Sequence, residues 1–354
     1  MSAFNGMDLN RYSIGHLDSG RSPSLESILL LRSSFLAADM KVLVSGGGGF
    51  IGSRLVRRLL KRGHRVRVLD VQTGRLERMD DPNLEFVGLG DDALRGGIFD
   101  RRLVRRAVQG VDVVYHLAIN WDGHSWRGRL PIPELFNINI EGTYNLLEAA
   151  KSSGVKHFLF SSSIAVYGKR KSPVIDEETT CQPELWKGGP GPAYAIVKLA
   201  TERLCLLFYH EYGLPVTVFR IDVVFDHSEY QDLELETIRK ARKGETIEVA
   251  KREGGACIHV DDVVQAFILA TLNRKSSGQV FNLSNPAAYV SDLDVFRIVV
   301  KSLGSKSRVR LVRGPALTGP TIQSVRKAER VLGWRPRKTR EDLETTIDRM
   351  VRGS

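Results

Sequence analysis

The sequence predicts an α/β protein: a doubly wound parallel sheet of the dinucleotide-binding kind, followed by a smaller C-terminal α/β lobe. Three observations carry that reading. From Lys41 onward, short β-branched runs alternate with amphipathic stretches of helical period. Between the first strand and the first helix stand three glycines, Gly46, Gly49 and Gly52. An acid, Asp70, closes the second strand roughly 20 residues beyond them, as a dinucleotide-binding βαβ unit requires.

Lys41 to Ser45 is the first strand, apolar enough to be buried. Ile51, Leu55, Val56, Leu59 and Leu60 recur at helical spacing from Phe50, so a helix starts inside the glycine run and ends at Gly63. His64 to Leu69 rebuilds a strand. One glycine allows the tight turn, a second lets backbone touch a pyrophosphate, and Gly52 lets helix and strand pack closely. Free N–H groups at the helix start face the phosphates, with the helix dipole behind them. Asp70 accepts hydrogen bonds from the adenosine ribose, and a 2′-phosphate would meet its charge, so NAD is expected rather than NADP. Arg54 and Arg75 lie near enough in sequence to weaken that preference.

Leu84 to Leu89 is a third strand and Arg101 to Gln109 a helix. Val111 to Leu117 is a fourth strand leading to Ala118, where small residues let a cofactor pass over the strand end. His116, inside that apolar strand, is read as a packed core histidine. From Trp121 to Pro133 the chain is irregular, with Trp121, His124 and Trp126; it either touches substrate or only connects. Phe136 to Ser152 is a helix. Val155 to Phe160 is a fifth strand, and Ser161-Ser-Ser163 at its end points into the crevice of the glycine loop. Tyr194 and Lys198 follow on a helix that runs through Leu204, Leu207 and Phe208. Four apart, they share one face and can converge on one ligand. Pro215 to Ile221 is the sixth strand.

These residue types suit redox chemistry at a carbinol carbon. Removing hydride requires the hydroxyl to lose its proton, and a tyrosine of ordinary pKa near 10 is a poor base at neutral pH. A lysine ammonium and a positive nicotinamide ring favour the phenolate. Ser163 would hold the substrate oxygen and stabilise its developing charge.

The motifs resemble those of the extended short-chain dehydrogenase/reductases, the NAD-dependent epimerase/dehydratase family. VSGGGGFIGSRLVRRLL is similar to the family's GxxGxxG opening, SSSIAVYG to TSSxAVYG, and YAIVK to YxxxK. The resemblance covers nearly everything from Met40 onward. It assigns the catalytic triad to Ser163, Tyr194 and Lys198. It implies cofactor contacts from Gly46, Gly49, Phe50, Ile51, Gly52, Asp70, Asp91, Ala118, Asn139, Ser161, Tyr194 and Lys198. Asp91 would lie near the adenine, and Asn139, in a segment like NVxGTxNLLEA, would order the cofactor. Two departures bear on substrate. Family dehydratases carry an Asp-Glu pair just after the catalytic Ser or Thr, where this chain has Ile164-Ala165, so dehydration is disfavoured. Upstream of His259-Val-Asp-Asp262, which resembles HVDD, Gly255-Ala256 replaces an Arg-Asp step that grips a diphosphate. Arg297, Arg308, Arg310 and Arg313 are candidate replacements, though solvated positions are their default. The NVYGP step is replaced by Asp222-Val-Val-Phe-Asp226, and Asp261 is read as the N-cap of the helix after it. Gly278 to Ser284 and Ala328 to Pro336 match closing segments and are assigned to the smaller lobe.

Composition fits this reading. The net charge is +11, and residues 1–39 hold three Arg against four acids, so the basic excess lies beyond them. It favours anionic ligands, with no nucleic-acid motif to direct it to DNA or RNA. Cys181, Cys205 and Cys257 suggest neither a disulfide framework nor a metal site. Together with the lack of a membrane-length apolar run, they place the chain in a reducing cytoplasm. The expected organisation is an N-terminal extension (1–39) with a short helix over Ser24 to Leu36 and no catalytic part, a Rossmann NAD-binding domain (40–222) and a substrate lobe (223–354) whose helix after 260 packs back on the sheet. The expected function is an NAD-dependent sugar-nucleotide epimerase with a small-molecule partner, a nucleotide sugar. A homodimer stays open. A dehydrogenase or ketoreductase with a non-nucleotide substrate, and a non-catalytic NAD-binding regulator, are the alternatives.

Overall fold

The computed structural model describes residues 39–90, 97–119, 132–168, 172, 174–186, 191–226, 235–250, 255–312 and 322–353. The chain divides into two units, Met1–Ala38 and Asp39–Ser354, and every described residue belongs to the second. Asp91, the 121–130 stretch with Trp121, His124 and Trp126, the helix expected over 24–36, and Arg313 lie outside the described residues.

Seven parallel strands form the central sheet. They are β1 (Lys41–Ser45), β2 (Arg65–Leu69), β3 (Leu84–Val87), β4 (Val113–His116), β5 (His157–Ser163), β6 (Val216–Ile221) and β7 (Gln279–Leu283), in the spatial order β7-β6-β5-β4-β1-β2-β3. The strand order reverses between β1 and β4, where such sheets bind ligands outside their carboxyl ends. Strands β1, β4 and β6 are almost wholly buried because helices cover both faces, which explains their continuous apolar runs. The chain beyond Val223 returns to the central sheet, where β7, assigned from sequence to the smaller lobe, pairs with β6 along its whole length.

On one face pack α1 (Phe50–Leu60) and, after the chain has left and returned, the helix Val260–Ala270, which touches α1 and places Phe267 against Phe219. The other face holds Arg101–Val108, Gly142–Ser152 and Gly191–Tyr212, which bury Leu103, Val104, Leu146, Leu147, Cys205 and Phe208 against Phe158, Phe160 and Val218. The helix expected from Phe136 starts earlier, at Ile132, and contains a π-turn over Asn137–Glu141 before its last segment. A second core gathers around Phe225, Ile247, Val249, Val295, Ile347 and Val351.

The cap of Val260–Ala270 differs from expectation. His259 is the N-cap, its Nδ1 accepting from the Asp261 N–H at 3.1 Å, so Asp261 is the second helical residue. Its neighbour Asp262 is 3% exposed and accepts from the Arg337 and Lys338 N–H groups, while its carbonyl takes the Trp334 indole N–H at 2.8 Å. The segment containing Trp334 is thus docked on this helix.

Candidate active site

The glycine turn is shaped for close backbone approach. Gly46 has φ +73°, and a Cβ there would lie 2.6 Å from the Ala118 nitrogen; one on Gly52 would lie 2.1 Å from the Gly46 carbonyl oxygen. Neither position admits a side chain, whatever its chemistry. Gly49 caps α1 in an extended conformation with no side-chain hydrogen bond, leaving the helix N-terminus to donate elsewhere. Asp70 stands directly above, its carboxylate accepting from the Gly48 N–H at 3.0 Å and the Val71 N–H at 2.8 Å. Burial nevertheless raises its pKa, so further donors would be welcomed by its remaining lone pairs. A bare helix start, an acid beside it and a turn closed to side chains suit the diphosphate and ribose of NAD. Arg75 places its guanidinium 4.8 Å from the Phe50 ring centre, and Arg54 faces Asp226 at 3.5 Å.

Ser163, Tyr194 and Lys198 come together at the end of β5. Ser163 caps a short 3-10 turn over Ile164–Tyr167, its Oγ accepting from the Ala165 N–H at 3.2 Å, and its hydroxyl lies near enough to Tyr194 to oppose the rise in the pKa of the phenol. Tyr194 and Lys198 are four residues apart in Gly191–Tyr212. Lys198 is 3% exposed; its Nζ donates to the Ser161 carbonyl at 2.6 Å and lies 5.8 Å from the Tyr194 ring centre. Burial drives the two apart in pKa, the phenol up to about 12 and the ammonium down to about 7. Ser161 thus meets Lys198 through its backbone. Ile164 and Ala165 are buried and carry no proton-transfer group.

Asn139 sits in the π-turn, 3% exposed, its amide donating to the Leu135 carbonyl at 2.7 Å. His116 is 1% exposed and packs between Phe158 and Phe160, the core placement expected of it. Arg310 is committed to Glu248 in an exposed ion pair.

Sequence reasoning missed a buried network beneath the triad. Glu202, one turn beyond Lys198, is fully buried and accepts from Arg220 through both carboxylate oxygens, at 2.6 and 3.1 Å, and from the Ser162 hydroxyl at 3.0 Å. Arg220 also donates to the Glu177 carbonyl and lies over the Tyr167 ring. The signal available in sequence was Glu202 following Lys198 by four, on the buried side of the same helix. Among the described residues no cluster of His, Cys, Asp and Glu could hold a metal, and no helix is long and apolar enough to cross a membrane.

A family model, the NAD dependent epimerase/dehydratase family, matches residues 42–284. The UDP-glucose 4-epimerase of Halalkalibacterium halodurans is 29% identical over 335 residues, 87% of this chain and 94% of the relative. The UDP-N-acetyl-alpha-D-glucosaminuronate decarboxylase of Bacillus cytotoxicus is 30% identical over 254 residues, 69% of this chain and 75% of the relative. Among solved structures, UDP-glucose 4-epimerase from Thermotoga maritima with UDP-glucose superposes with a TM-score of 0.70 at 27% identity, covering 88% of this chain and 98% of that one. DesIV, the dTDP-glucose 4,6-dehydratase of Streptomyces venezuelae with NAD and TYD bound, gives 0.72 at 27% identity over 89% and 97%.

Proposed function

The chain belongs to the NAD-dependent epimerase/dehydratase family, and from that premise we propose that it is an NAD-dependent epimerase of nucleotide sugars. One observation carries the choice: a serine, tyrosine and lysine converge beside Ile164-Ala165, side chains that can neither give nor take a proton. Epimerisation needs one proton-transferring group at the carbinol, whereas elimination of water needs an acid and a base besides. The named epimerase relatives support the reading, although family membership alone would also admit the dehydratase and the decarboxylase.

Tyr194 takes the proton of the carbinol hydroxyl and returns it. Burial raises its pKa more than the neighbouring Ser163 hydroxyl lowers it, which favours the protonated phenol. A neighbouring positive charge therefore sets when it can act as a base. Lys198, whose Nζ lies 5.8 Å from the Tyr194 ring centre, provides one when protonated. Ser163 orients the substrate oxygen through the hydroxyl it presents beside Tyr194. NAD, when bound, supplies hydride acceptance and return together with the positive charge of its nicotinamide ring. We assign residues 40–222 to cofactor binding and 223–354 to substrate selection, the latter also contributing β7 and Val260–Ala270 to the central sheet and its cover.

Purified protein incubated with UDP-sugars should invert one carbinol centre with no net NADH, followed by NMR of the sugar. Tyr194→Phe should lower kcat by about 10²–10⁴-fold while leaving NAD binding intact. Steady NADH accumulation would overturn the epimerase in favour of a dehydrogenase or ketoreductase. That second reading draws on Gly255-Ala256, where no guanidinium is available for a diphosphate.

A further inference from the structure

His116 makes more contacts than core packing requires. Its Nδ1 lies 2.7 Å from Ser45 Oγ and its Nε2 2.9 Å from Thr143 Oγ1, all three residues being at most 1% exposed. The direction of each bond follows from the partners. Thr143 Oγ1 is 2.6 Å from the Asn139 carbonyl, which can only accept, so the threonine proton points there. The Nε2 must then carry a hydrogen and donate to Thr143. That leaves Nδ1 bare to accept the Ser45 proton, and Ser45 Oγ in turn faces the Ala118 N–H at 3.4 Å. A single directed chain results, running from Ala118 through Ser45, His116 and Thr143 to Asn139. Burial, then the charge of Lys198, lowers the imidazole pKa to about 3, so the ring stays neutral throughout the working range.

We propose that His116, as the Nε2–H tautomer, is a positioning residue for the cofactor cradle, tying the strand end that launches the glycine turn to the π-turn that holds Asn139. The inference rests on the NAD reading above and extends it to a residue that touches no reacting atom. Ser45 immediately precedes Gly46, and Ala118 is the backbone that a Cβ at Gly46 would strike. The chain therefore sets the spacing between the two strand ends over which the cofactor passes. A rotated ring or the other tautomer would leave Ser45 and Thr143 with mismatched donors in a site that admits no water-exposed substitute.

Two measurements test this on the full chain. In long-range ¹H–¹⁵N spectra of histidine-labelled protein at pH 7, the His116 signal, identified by its loss in His116→Phe, should be the neutral Nε2–H tautomer. A hydrogen on Nδ1 would overturn the proposal. In NAD titrations followed by tryptophan fluorescence, His116→Phe and Thr143→Val should each raise the dissociation constant about tenfold, and the double variant no further than the weaker single one. Unchanged affinity in His116→Phe, the outcome if only ring volume mattered, would overturn it, as would independent, multiplying losses. Should His116→Phe not fold, Ser45→Ala with Thr143→Val forms the same cycle, and the tautomer signal is then identified by its shift in Thr143→Val. Failure of the wild-type chain to bind NAD would overturn the proposed function as well, whereas normal binding with multiplying losses would overturn only the relay.

Discussion

Histidines 116 and 157 sit in neighbouring strands and follow one logic. His157 accepts from the Leu272 N–H at its Nδ1, 3.0 Å away, and so must donate from Nε2 to Thr217 Oγ1 at 2.9 Å. Leu272, with φ +54°, is the one non-glycine residue in the left-handed region among the described residues, and this bond helps hold it there. Burial lowers the His157 pKa to about 4. Between that value and the ordinary 6.5 the unfolded chain binds a proton that the folded chain refuses, so the contribution of this ring is full above pH 6.5 and is lost as pH falls toward 4. Stability from urea unfolding should therefore decline through that window, before carboxylates such as Asp112, whose pKa lies below its usual value, begin to protonate. His157→Gln should flatten the decline. An unaltered slope would assign it to other groups.

Glu202 and Arg220 join three elements: the helix that carries Tyr194 and Lys198, strand β6, and through Ser162 the end of β5. Removing one partner of a fully buried pair leaves the other charge uncompensated. Glu202→Ala should cost about 3–5 kcal/mol in chemical denaturation, whereas replacing both residues by apolar ones of similar volume should cost markedly less. Elements with a local cause were legible in sequence: the strand, glycine turn and helix from Lys41 to Leu60, and the tyrosine and lysine on one helical face. The π-turn at Asn137–Glu141 was not, because a single added residue in a helical turn leaves the apolar period nearly unchanged. Nor was the His259 cap. An aspartate two residues on is a better capping side chain by propensity, yet strand Cys257–His259 ends one residue before the helix and fixes which residue can cap it.

At the scale of the molecule, a cofactor that binds only the folded chain should stabilise all of it. NAD at a hundredfold excess over its dissociation constant is worth about 2.7 kcal/mol, visible as a rise in melting temperature that Gly52→Ala should abolish, because its Cβ would collide with the Gly46 carbonyl. A rise that persists in that variant would place the cofactor elsewhere. The sequence by itself determined the doubly wound sheet, the glycine turn with its acid, and the placing of the tyrosine and lysine on one helical face, because each depends on apolar period or on short spacing along the chain. Only the tertiary structure decided that β7 closes the central sheet, that Asp262 receives Trp334 72 residues on, that Glu202 meets Arg220, and that His116 lies between the hydroxyls of Ser45 and Thr143. Those outcomes depend on partners brought together by folding, and a buried polar group is satisfied by whatever lies against it in space.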